Sequence, residues 1–190
     1  MQGNTHAAVG MAAALAAGSM YPGVAAALVG SYLPDADTPH SMIGTVAIIG
    51  LMTFLPASVR PALKAGKVEA VLVVGAYLAL AFLGRHRGFT HSFAGLGTAA
   101  LAFGLILGFG AVWPFALGYF LHLVLDALTP AGIALYWPSP QRFGIHLLWS
   151  GGFIDRWIGG LALLAAGMMI MTREGIWRLI ALMTHDLMKR

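Results

Sequence analysis

The chain has 190 residues, 59% of them hydrophobic and only 9% charged, with a mean hydropathy of +0.81 and a formal net charge of +4. A soluble domain carries about 25% charged residues, so this composition excludes an ordinary soluble protein and points to a membrane. No basic run with interleaved aromatics is present, which argues against a nucleic-acid partner. With no cysteine, any metal must be held by nitrogen and oxygen ligands.

Apolar segments read as helices, because the ~10-residue alternation of a membrane barrel is absent. The expected fold is all-α: one polytopic membrane helix bundle over residues 1–190 with about five to six spans at roughly 20 residues each. The 25 glycines suit close helix approach in lipid. Segment one covers about 5–20 and turns at Tyr21-Pro22. The start of the chain lacks the basic region of a cleavable signal peptide, so His6 is expected to remain in the mature protein. Segment two, 22–33, is too short to span and returns, ending in PDADTPHS, a Pro- and Asp-rich turn. Segment three, about 41–57, leads to the basic loop SVRPALKAGK, and segment four, about 68–84, delivers the chain to RHRGFTHS at 85–92. Segment five, about 91–111, turns at Trp113-Pro114 into segment six, FALGYFLHLVLDALTP. The stretch GIALYWPSPQRFGIHLLWS suits the membrane interface through Tyr136, Trp137 and Trp149. Segment seven covers about 152–172, and residues 173–190 read as an amphipathic, interfacial C-terminal helix.

An up-and-down path through these segments brings nearly every chemically able polar group to one face. His6 leaves that face, Asp35 and Asp37 return to it, then Arg85, Arg87 and His91, then His122 and Asp126, and finally Asp155. The other face holds seven basic residues against four here (Arg85, Arg87, Arg142, Arg156). The positive-inside rule then sets the polar face towards the periplasm.

His122 and Asp126, at i and i+4, share a helix face and can chelate one ion or glue helices by hydrogen bonding. Asp35 and Asp37 repel unless a cation lies between them, with a helix N-cap as the plainer role. Thr90 is the expected N-cap of segment five, with His91 in its first turn and Arg85 and Arg87 just before, an arrangement suited to an anion such as phosphate. Asp155 is either a ligand or the ion-pair partner of Arg156. The candidate metal set is therefore His6, Asp35, Asp37, His91, His122 and Asp126, with Asp155 in reserve. It could hold one or two divalent ions, zinc first, with manganese or iron as alternatives.

THAAVG at 5–10, LPDADTPHS at 33–41, RHRGFTHS at 85–92 and GYFLHLVLDALTPAGIALYWP at 118–138 together resemble the YdjM-like family of bacterial inner-membrane proteins. That family is described as metal-dependent hydrolases, some under LexA control. The resemblance implies that His6, Asp35, Asp37, His91, His122 and Asp126 occupy its motif positions, with Arg87 in the HRGxTHS block. Where the family tends to carry Glu after the Gly pair, this chain has Asp155. The His and Asp blocks are also similar to the zinc-dependent phospholipase C group.

The function expected is a multi-pass inner-membrane hydrolase that cleaves a phosphoester in a lipid or lipid-linked substrate by metal-activated water. Asp35 or Asp37 is ligand or base, Arg87 stabilises developing charge, and Arg85 and Arg142 help bind the substrate. The alternatives are a His/Asp-lined proton or metal transporter and a non-catalytic protein with a structural metal.

Overall fold

The computed structural model describes residues 1–37, 68–83 and 87–188. Segment three, the basic loop after it, and Arg85 lie outside the described residues. The regular elements among the described residues are all helices, with no strand and one isolated bridge between Ile133 and Phe143. Six α-helices are described: α1 (Gly3–Ala16), α2 (Tyr21–Tyr32), α3 (Val68–Leu83), α4 (Phe93–Leu107), α5 (Val112–Ala127) and α6 (Phe153–Met188).

Local sequence explains several of the boundaries. Pro22 sits in the first turn of α2, where its missing N–H costs no hydrogen bond. Ser92 starts α4 by accepting the Gly95 amide at 3.1 Å, and α4 ends at Gly108 with φ +94°. Thr90, expected as that N-cap, lies instead in the short 3-10 turn Phe89–His91 ahead of the helix. The expected break between segment seven and the C-terminal helix is absent, because α6 runs unbroken for 36 residues. At the expected junction only Gly175 interrupts the good helix formers, and one glycine there costs about 1 kcal/mol, which does not stop a helix.

Two stretches, Phe109–Ala127 and Phe153–Glu174, are long and apolar enough to cross a membrane, while Val68–Phe82 and Phe93–Leu107 are apolar but shorter. At 1.5 Å per residue, α1 and α2 reach only about 21 and 18 Å, short of a ~30 Å hydrocarbon core. The outer face of α6 exposes Leu161, Leu164, Met168 and Met171, as suits a lipid-facing helix.

Helix α5 is the centre of the bundle, with α1, α2 and α4 packed on it, while α6 lies on α1 and α3 on α4. The α2–α5 crossing depends on glycine. A Cβ on Gly30 would come within 2.1 Å of the Phe115 carbonyl oxygen, and one on Gly118 within 2.0 Å of the Ala27 carbonyl oxygen. Below this crossing, Ala26, Tyr77, Phe89, Phe115, Tyr119 and Leu123 form the apolar core. The loop after α5 folds back, and the amides of Ile145 and Leu147 satisfy the Ala127 and Leu128 carbonyls at 2.9 Å each.

Candidate metal centre

Phe115, Tyr119, His122 and Asp126 follow one another along a single buried face of α5, so the apolar core passes directly into a polar centre. His122 is held by its backbone surroundings. Its Nδ1 lies 2.8 Å from the Ser31 carbonyl oxygen of α2. A carbonyl only accepts, so Nδ1 carries the proton and Nε2 presents a lone pair. That Nε2 faces His91 Nε2 at 3.3 Å, Asp35 Oδ1 at 3.7 Å and Asp126 Oδ2 at 3.9 Å.

His6, from α1, stacks on His122 with ring centroids 3.8 Å apart. Its Nε2 comes within 3.2 Å of Asp126 Oδ1, yet neither ring nitrogen makes a hydrogen bond, although the side chain is fully buried. His91 enters from the 3-10 turn Phe89–His91. Tyr119 donates to the Thr90 carbonyl, and Thr90 Oγ1 lies 3.0 Å from His91 Nδ1. His91 Nε2 is 3.4 Å from Asp35 Oδ1 and 3.6 Å from Asp126 Oδ2. Asp35 comes from the 3-10 turn Leu33–Asp37, which continues α2. Burial pushes its carboxyl up, but the hydrogen bond from His91 and the attraction of the His122, His91 and His6 rings in their protonated form outweigh it and bring the pKa down to about 2. Asp126 Oδ1 also meets the Met1 amine.

Arg87 completes the wall. It has φ +62°, a left-handed backbone that a non-glycine residue adopts only where its surroundings hold it there. Its Nη2 is 3.4 Å from Asp126 Oδ2, while its buried Nη1 has no hydrogen-bond partner.

These donors form two triads, His6–His122–Asp126 and Asp35–His91–His122, each with ligand atoms within 4.8 Å of one another. Three imidazoles and two carboxylates, with a fully buried His6 whose ring nitrogens make no well-aligned hydrogen bond, fit a divalent cation of the zinc, manganese or iron type. Charges this deeply buried are costly unless paired or coordinated.

Five of the expected ligands therefore meet: His6, Asp35, His91, His122 and Asp126. The side chain of Asp37 and all of Arg85 lie outside the described residues. Arg142 is exposed and donates to the Ala131 carbonyl at 3.4 Å, so the structure does not bring it to the centre. Asp155 belongs to neither triad and does not pair with Arg156. Its Oδ2 accepts the amides of Gln2 at 3.0 Å and Gly151 at 2.7 Å, tying the start of α1 to the start of α6. Sequence reasoning missed the Ser31 carbonyl, a main-chain group that leaves no side-chain signal. It also missed Tyr119, which reads as one more apolar-face aromatic.

A helical bundle with apolar helices of membrane-crossing length and a buried His/Asp centre is the class of protein that fold and site define. The chain belongs to the YdjM inner membrane protein family, whose model matches residues 1–188. It is 32% identical over 152 residues to "Inner membrane protein YdjM" of Escherichia coli (strain K12), covering 76% of this chain and 64% of that protein, and equally to the protein of that name from Shigella flexneri. The chain thus spans a little under two thirds of the length of these curated relatives. No solved structure matches.

Proposed function

We propose that this chain is a multi-pass inner-membrane metal-dependent hydrolase that cleaves a phosphoester in a lipid or lipid-linked substrate. The observation that carries this reading is the convergence of His91 Nε2 and His122 Nε2 at 3.3 Å, with carboxylates from Asp35 and Asp126 around them. With His122 Nε2 in its acceptor form, the two nitrogens are placed to share a cation when His91 Nε2 is deprotonated, and form an N–H···N hydrogen bond when it is not. A divalent ion, zinc first, with manganese or iron as alternatives, would supply a water nucleophile at neutral pH and Lewis-acid stabilisation of charge.

The chain's own residues have separable tasks. His6, His91, His122 and Asp126 hold the ion from inside the bundle. Asp35, whose side chain is 21% exposed, sits where the centre opens and is ligand or proton acceptor. Asp37 shares its turn and is the alternative base. Arg87, whose buried Nη1 makes no hydrogen bond, is the cation available to an anionic substrate. The ionisable cluster gathers at one end of α5 and does not run along it, which favours a hydrolase over a proton or metal path. The basic-residue bias puts this end towards the periplasm.

The test is hydrolysis of a panel of phospholipids and polyprenyl phosphates by detergent-purified protein, metal-replete and after chelation. The expected result is turnover that chelation abolishes and that His122→Ala lowers at least a hundredfold. Absence of turnover on the whole panel by a metal-replete, folded protein would contradict the reading.

A further inference from the structure

We infer that the chain carries a site apart from the metal centre, a phospholipid cleft towards the far end of the α6 span, fitted to a headgroup that holds both a phosphate and a protonated amine. The cleft lies where the α1–α2 turn meets α6 and measures about 320 Å³. Leu15, Met20, Val24 and Ile170 line it with apolar surface, and Arg173 and Glu174 add one charge of each sign. From Asp155, tied to Gln2 at the start of α1, to Arg173 the helix climbs about 27 Å at 1.5 Å per residue. The cleft is therefore remote from His6 and does not depend on the hydrolase reading.

Arg173 is fixed in place by main-chain oxygens. Its Nη2 donates to the Leu15 carbonyl at 2.6 Å and its Nη1 to the Ser19 carbonyl at 2.9 Å, with Met20 Sδ 3.9 Å away. Carbonyls at the end of α1 carry partial negative charge and do not neutralise a guanidinium. Among the described residues Arg173 makes no ion pair, and its Nε–H has no acceptor. A half-buried cation held in this way presents a fixed donor to an anion. Glu174 is exposed, and among the described residues it too has no hydrogen bond or ion pair. A purely anionic ligand would meet its carboxylate, whereas an ammonium beside the phosphate answers both charges.

Depth and lining agree with a lipid. Phe153–Glu174 is a stretch long and apolar enough to cross a membrane, so Arg173 and Glu174 close it at the level of the headgroups. The apolar walls come from α1, the α1–α2 turn, α2 and α6, which gives an acyl chain a groove between elements and not a smooth helix face. A small hydrophilic ion would gain nothing from that lining, while every methylene laid against it favours an amphiphile.

The experiment titrates the full chain in detergent micelles with phosphatidylethanolamine or phosphatidylglycerol, read by native mass spectrometry and by thermal melting. The expected result is one phosphatidylethanolamine retained per chain, a raised melting temperature, and weaker retention of phosphatidylglycerol. Glu174→Gln should erase the preference between the two lipids. Arg173→Gln should weaken both about tenfold, the worth of one charge-assisted hydrogen bond. Val24→Trp fills the cleft and keeps both charges, so it should weaken both lipids while leaving the Arg173 contacts to α1 intact. Wild type that retains neither lipid, or prefers phosphatidylglycerol, would overturn the assignment. So would an unchanged preference in Glu174→Gln, or Val24→Trp retaining lipid like the wild type.

Discussion

At 0% exposure Asp155 is as deeply buried as His91 and His122, yet it does a different task. Its carboxylate gathers the Gln2 and Gly151 amides and so anchors the helix that carries His6. Asp155→Ala leaves two amides without their acceptor and should cost about 1–3 kcal/mol, read as a lower melting temperature. Metal content per folded chain should stay unchanged; a drop in metal at unchanged folding would make Asp155 a ligand after all. The contrast shows what residue type and spacing can reveal. His122 and Asp126 announced themselves by their i, i+4 placement on an apolar helix, and His6, Asp35 and His91 by the parity of the turns that carry them. Asp155 is 153 residues from Gln2 in sequence, and a carboxylate bound to a distant main-chain amide has no local pattern.

The elements follow the apolar runs, and their departures have local causes. Ser92 displaced Thr90 as the cap of α4 because a 3-10 turn, tied to Tyr119 through the Thr90 carbonyl, comes before the helix. The amphipathic tail joined the preceding span because nothing between them interrupts the backbone ladder. Close approach of α2 and α5 was legible only as a wealth of glycine; which glycines matter depends on the crossing. At Gly118 an added Cβ would meet the Ala27 carbonyl oxygen at 2.0 Å, and neither partner is a side chain that can swing away. Gly118→Ala should therefore force the helices apart, costing about 1–3 kcal/mol. It should also weaken metal binding, since Ser31 on α2 orients His122 one turn along α5. A thermal melt combined with a metal titration checks both; normal values in each would show that the crossing is looser than described.

Across the described residues, five candidate ligands separated by up to 120 residues meet in two overlapping triads. That convergence was readable from the order of segments; of the expected five to six spans, segment three lies outside the described residues, and two of the described stretches are long and apolar enough to cross a membrane. The proposed membrane side rests on the bias of seven basic residues against four. The native chain has no cysteine, so Arg142→Cys introduces a single reporter at an exposed position on the polar side. An impermeant maleimide should label it from the periplasm of intact cells, and labelling only after the inner membrane is breached would reverse the assignment.

The central claim is that the buried His/Asp cluster is a metal centre, and elemental analysis of the purified protein tests it most directly. Wild-type chain should carry one or two divalent transition metal ions, while His122→Ala and Asp126→Asn, folded by circular dichroism, should carry markedly less. A well-folded wild type that stays metal-free after loading would contradict the account, and the cluster would then be a hydrogen-bonded clamp between α1, α2 and α5.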